Sequence, residues 1–160
     1  MPDITWEVLS QIVTVVGLPL AIVVFFIEQR KERENEEEEV YQLLSDNYQD
    51  FLKVALDNPD LRLFSAAGAA ILDEEQRERK FIIFSMLVSL FERAYLLLHE
   101  DVMGARQRRR WNSWEDYMIE WCSRPDFRAS LPALLRGEDP DFVRYIERLT
   151  AEEGNGAEQP

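Results

Sequence analysis

The chain has one cysteine, Cys122, and one histidine, His99, in 160 residues. A lone cysteine closes no intrachain disulfide, which suits a reducing compartment. A lone histidine argues against a nitrogen-rich metal site. No CxxC pair, no HExxH and no phosphate-binding glycine loop occurs, so the sequence calls for no metal and no cofactor. Basic residues are also scarce: 18 against 31 acidic, for a net charge of −13, and only three of them are lysine. Phosphate contact needs basic surface, so nucleic acid is not an expected partner. Adsorption to an anionic leaflet needs clustered Lys and Arg and is disfavoured for the same reason. No useful length of chain alternates apolar and polar residues with period two. Strands are therefore not expected, and the fold class reads as all-α.

What the chain does have is a long apolar run. Val8 to Ile27 carries no charge, and Ser10, Gln11 and Thr14 are its only polar residues. As a helix it would cover roughly the 30 Å hydrocarbon core of a bilayer. A cleaved signal peptide would want a basic leader and a small-residue cleavage site, whereas MPDITWE is acidic and the run ends in Phe25, Phe26 and Ile27. A buried core helix is usually shorter. The run is therefore read as a transmembrane helix over 8–27. Trp6 is its interfacial anchor. Gly17 is a notch for close approach by another helix. Pro19, which removes a helix hydrogen bond, is expected to kink it.

Arg30, Lys31 and Arg33 follow the run, while only Asp3 and Glu7 precede it. Basic flanks stay cytoplasmic, so residues 1–7 are expected outside. The rest would lie on the cytoplasmic side of the inner (cytoplasmic) membrane as a single-pass protein. Residues 28–39, EQRKERENEEEE, lack Pro and Gly and carry the i,i+4 pairs Arg30–Glu34 and Arg33–Glu37. They read as a solvated helical stalk.

Residues 40–150 are expected to form a cytoplasmic bundle of about four to five helices. Val40, Leu43, Leu44, Tyr48, Phe51, Leu52 and Ala55 give a first amphipathic stripe, stopped at Asn58-Pro59. Residues 61–72 read as a turn-rich connection. Asp73 with Gln76 resembles a capping box for a helix running to about His99. The centre of that helix, Phe81 to Phe91, is apolar on nearly every side but too short for a second span, so it is expected to be buried. On it, Ser85, Ser89, Glu92 and His99 share roughly one polar face. Trp111, Trp114, Tyr117, Met118 and Trp121 follow at helical spacing, with a start at Ala105 or at Ser113. Asp126 to Arg136 reads as a short helix started or interrupted by Pro132. Asp139-Pro140 caps a last helix carrying Phe142, Tyr145, Ile146 and Leu149. Residues 151–160 read as a disordered tail.

Tyr48-x-x-Phe51-Leu52, the run Phe91-Glu92-Arg93-Ala94-Tyr95, Trp111-x-x-Trp114-x-x-Tyr117 and Pro125-x-Phe127 give the chain a further character. It resembles uncharacterised small bacterial membrane proteins with an N-terminal span and an all-helical cytoplasmic domain. That resemblance implies an architecture and no activity. A second resemblance is local. Arg93-x5-His99 looks like the Arg/His signature of HEPN ribonucleases, which would imply a dimeric helical enzyme with Arg93 holding transition-state charge and His99 moving protons. Ala94 departs from the polar residue expected after the arginine. Six positions along a helix also leave the two side chains about 120° apart.

The Arg106, Arg108, Arg109 and Arg110 cluster is a candidate contact for an anion or a partner. The expected role is non-catalytic: a membrane-anchored interaction or scaffold module that meets the bilayer and either another protein or a second copy of itself. On this reading Arg93 pairs with a carboxylate, and its loss costs more stability than loss of His99.

Overall fold

The computed structural model describes residues 6–65 and 71–156, with side chains over residues 19–65 and 71–151. Among the described residues every regular element is helical, so the all-α expectation holds. The elements are α1 (Trp6–Asp57), a 3-10 turn (Pro59–Leu61), α2 (Glu74–Leu98), α3 (Ala105–Cys122), α4 (Pro125–Leu134) and α5 (Pro140–Gly156). The chain divides into two compact units, residues 1–42 and residues 43–160.

In the first unit the chain is helical from Trp6. Pro19 lies inside the helix and does not end it. Leu20, Ile22, Val23, Val24, Phe25, Phe26 and Ile27 are all exposed, at 44 to 62%. Arg30, Lys31 and Arg33 are exposed in turn. The side chains of Trp6 and Gly17, read as anchor and notch, lie outside the described residues.

The second unit builds its core from aromatic faces. Leu44 and Phe51 of α1 are buried. Tyr48 between them stacks on Tyr117 at 4.4 Å and meets Trp114 edge-on at 5.9 Å. Leu43, placed in the apolar stripe by its spacing, is instead 54% exposed. The buried arc is narrower than the stripe, because a helix at the edge of a core turns only part of its circumference inward. The 3-10 turn ends α1 as Asn58-Pro59 requires. The connection after it is more than a linker, since Leu61 and Leu63 are both in the core.

The capping box is present in full. Gln76 N–H donates to Asp73, and Asp73 N–H donates to the Gln76 side chain. It opens α2, the one helix among the described residues long and apolar enough to cross a membrane by length and composition. Ile83, Phe84, Leu87, Val88, Leu90, Phe91, Ala94 and Leu98 form its buried face, which packs against α3, α4 and α5. Its outer face leaves Phe81, Ile82, Met86, Leu96 and Leu97 exposed. "Apolar on nearly every side" thus resolves into one buried face and one bare one.

α3 starts at Ala105, not Ser113, and buries Trp111, Trp114, Met118 and Trp121. Trp121 is the hub, meeting Phe51, Phe64, Phe84 and Phe127 at 5.2 to 5.9 Å. Burying a large apolar side chain of this kind removes it from water for about 1.5–3 kcal/mol. α4 begins at Pro125 and carries Pro132 inside it. The chain then turns at Gly137, whose φ of +93° is left-handed backbone that glycine adopts without strain. Asp139 caps α5 by accepting from Asp141 and Phe142 N–H. α5 runs to Gly156.

Candidate functional site

The C-terminal end of α2 points into a polar cleft of about 660 Å³ walled by α3 and α5. Each wall is one helical face. Arg108, Asn112 and Glu115 of α3 line it at spacings of four and three, as do Asp141, Arg144 and Arg148 of α5 at spacings of three and four. Side chains three and four apart stand above one another on a helix, so each wall is a ladder. The end wall is His99 with the residues that follow it, Glu100 and Asp101.

The floor is aromatic. His99 stacks on Tyr95 at 4.7 Å with ring planes 15° apart and meets Trp111 edge-on at 4.9 Å. Tyr145 closes the group, 5.5 Å from Trp111 and 5.1 Å from Tyr95. The position of His99 follows from local chemistry. It is the residue where α2 ends, its N–H bonded to the Tyr95 carbonyl and its backbone already extended. Its ring lies back over the last helical turn.

Several charges in the cleft are already committed. The Tyr145 hydroxyl donates to Glu115. Burial, that hydrogen bond and the Glu115 charge all hold the phenol in its neutral form, well above its ordinary range. Arg144 pairs with Asp141, and Arg148 lies over the Tyr145 ring at 4.9 Å. A smaller hollow of about 320 Å³ adjoins, sharing Tyr95, His99, Glu100, Asp101 and Asp141 and adding Leu96 and Asp139. The acidic side chains Glu100, Asp101 and Asp141 line both hollows, whereas Arg108, Arg144 and Arg148 line the larger one alone. Among the described residues no group of three His, Cys, Asp or Glu side chains could hold a metal ion.

Outside the two hollows, Glu92 of α2 accepts the Asp139 N–H. Glu138 beside it has its carboxyl raised to about 7 by burial and by the hydrogen bond and charge of Glu92. On the opposite side of the bundle, Lys80 is buried and pairs with Asp126 at 2.6 Å. Burial alone would raise the Asp126 carboxyl, but Lys80 and then Arg124 pull it below its ordinary value.

The residues singled out from the sequence are dispersed. His99 lines the cleft, but Arg93 does not; it is exposed on the outer face of α2, amid Met86, Leu96 and Leu97. Among the described residues no carboxylate pairs with Arg93, contrary to the expectation. Its turn of α2 faces away from the other helices, so no acid comes within reach. Of the arginine cluster, Arg108 turns into the cleft, while Arg106 and Arg109 are exposed elsewhere on α3. Trp111, Trp114 and Trp121, which follow that cluster, are core. Of the expected polar face on α2, Ser85 donates to the Phe81 carbonyl, Ser89 is exposed, and Glu92 alone bonds to another element. Sequence reading missed Glu115, Asp141, Arg144 and Arg148. Their only local signal is the matched polar spacing on two helices, and nothing in the sequence says that the two faces meet. No protein-family model, no curated protein and no solved structure matches the chain.

Proposed function

We propose that the chain is a single-pass membrane-anchored helical interaction protein. On this reading it is a non-catalytic subunit of a membrane-associated assembly, with residues from about 28 onward on the cytoplasmic side of the inner membrane. One observation carries it. The uncharged run Val8–Ile27 is helical, and from Leu20 to Ile27, where side chains are described, it bares seven large apolar side chains around the helix. Exposure on all sides over that length suits hydrocarbon and not water. The outer face of α2 supports the partner half of the reading. Ile82, Met86, Leu96 and Leu97 form an exposed apolar stripe of the kind that marks a protein contact.

The test has two arms. The chain should require detergent for extraction, and a reporter fused after Pro160 should report a cytoplasmic location. Purification in mild detergent should then recover a stoichiometric partner or a homo-oligomer, lost on Met86→Lys with Leu96→Lys. Extraction by salt alone, an extracytoplasmic reporter, or a clean monomer would overturn the reading. So would RNA cleavage that both Arg93→Ala and His99→Ala abolish.

A further inference from the structure

We propose that the cleft between α3, α5 and the end of α2 binds a small zwitterionic ligand, with its cationic group at Glu100 and Asp101 and its anionic group at Arg108. The proposal stands apart from the membrane anchor, because every residue it uses lies in the second compact unit.

The argument is one of committed and uncommitted charge. Asp141 is taken by Arg144, Glu115 by the Tyr145 hydroxyl, Asp139 by the N–H groups of α5 and Arg148 by the Tyr145 ring. Three cleft-lining charges have no hydrogen bond, ion pair or ring contact among the described residues. Arg108 is exposed, and among the described residues nothing bonds to its guanidinium; Glu100 and Asp101 are exposed and in no ion pair there.

Arg108 lies in the first turn of α3, and Glu100 and Asp101 lie in the loop before it. Glu100 and Asp101 border both hollows, whereas Arg108 lines only the part of the cleft that the smaller hollow does not reach. The His99 ring lines both hollows, held by Tyr95 and Trp111. An ammonium or guanidinium offers three to five donors, enough for two carboxylates at once, and a carboxylate fits one guanidinium in a bidentate pair. A purely anionic ligand would face Glu100 and Asp101 unshielded, and a purely cationic one would meet Arg108. The cleft volume of about 660 Å³ is that of an ordinary small-molecule site. The net charge of −13 further favours approach by the cationic end.

His99 provides the readout, because the chain has no other histidine. The untagged full-length protein in mild detergent is titrated with L-arginine, and separately with agmatine, which lacks the carboxylate. The imidazole resonances of His99 report binding. L-Arginine is expected to give a saturable shift. Arg108→Gln should weaken L-arginine about tenfold, the usual order for one charge-assisted pair, and leave agmatine no weaker. Asp101→Asn should weaken both ligands. Both substituted residues are exposed, so the fold should persist, and an unchanged thermal melt confirms that. No saturable shift with L-arginine would overturn the proposal. So would binding that neither substitution alters, or equal sensitivity of the two ligands to Arg108→Gln.

Discussion

His99 and Arg93 show how far a residue's role depends on what surrounds it. On α2 alone the arginine looks the better connected, a cation on an acidic chain. In the fold it stands among exposed apolar side chains with no described partner. The histidine contacts Tyr95, Trp111 and Tyr145. Aromatic pairs of this geometry contribute roughly 0.5–1.5 kcal/mol each beyond area burial. The order of stability costs expected from the sequence therefore reverses. His99→Ala should lower stability by about 1–2 kcal/mol, and Arg93→Ala should change it by less than about 0.5 kcal/mol. Chemical denaturation of the two variants side by side checks this. A larger loss for Arg93→Ala would show that the guanidinium has a partner in the assembled protein.

At the level of elements, the bundle is closed by a few polar clasps between helices that are otherwise held by aromatic packing. Lys80–Asp126 joins α2 to α4. Arg79 joins α2 to the 3-10 turn through Asp60 and Asn58. Glu92 joins α2 to the start of α5 through the Asp139 N–H.

The last clasp is sensitive to pH. The Glu138 carboxyl is raised from 4.5 to about 7 by burial and by Glu92. The folded state therefore holds a proton that the unfolded state has already lost. A raised pKa contributes stability that is fully present below about 4.5 and is lost as pH rises through about 7. The stability of the wild-type protein is thus expected to fall over that window. Glu138→Gln keeps the hydrogen-bonding shape without the charge. It should flatten the fall and be the more stable form above pH 7. Thermal melts across the window measure the difference, and parallel curves for the two proteins would remove Glu138 from the account.

The molecule as a whole has two compact units that divide within α1, residues 1–42 and residues 43–160. The second has its own core, running from Leu44 to Leu149, and a core of that extent can fold independently. A chain cut before Leu43 is expected to unfold in one cooperative transition followed by circular dichroism. A broad, non-cooperative melt would mean that the first unit is part of the same folding unit.

Much of this layout was written locally. The stop at Asn58-Pro59, the Asp73–Gln76 box and the Asp139-Pro140 start each rest on residues within four positions of one another, and the charge-free run on one unbroken segment. Capping and proline sterics act at that range, and hydrocarbon length is read from one contiguous run. The tryptophan spacing on α3 likewise announced a core face before any partner was known. Tertiary structure decided what required two distant segments to meet. It took Leu61 and Leu63 out of a linker and into the core. It split the apolar centre of α2 into a buried face and a bare one. It brought the ladder at Arg108, Asn112 and Glu115 opposite the one at Asp141, Arg144 and Arg148. Each helix fixes the periodicity of its own side chains, but which face finds which depends on how the bundle shares its aromatic interior. No single segment carries that information.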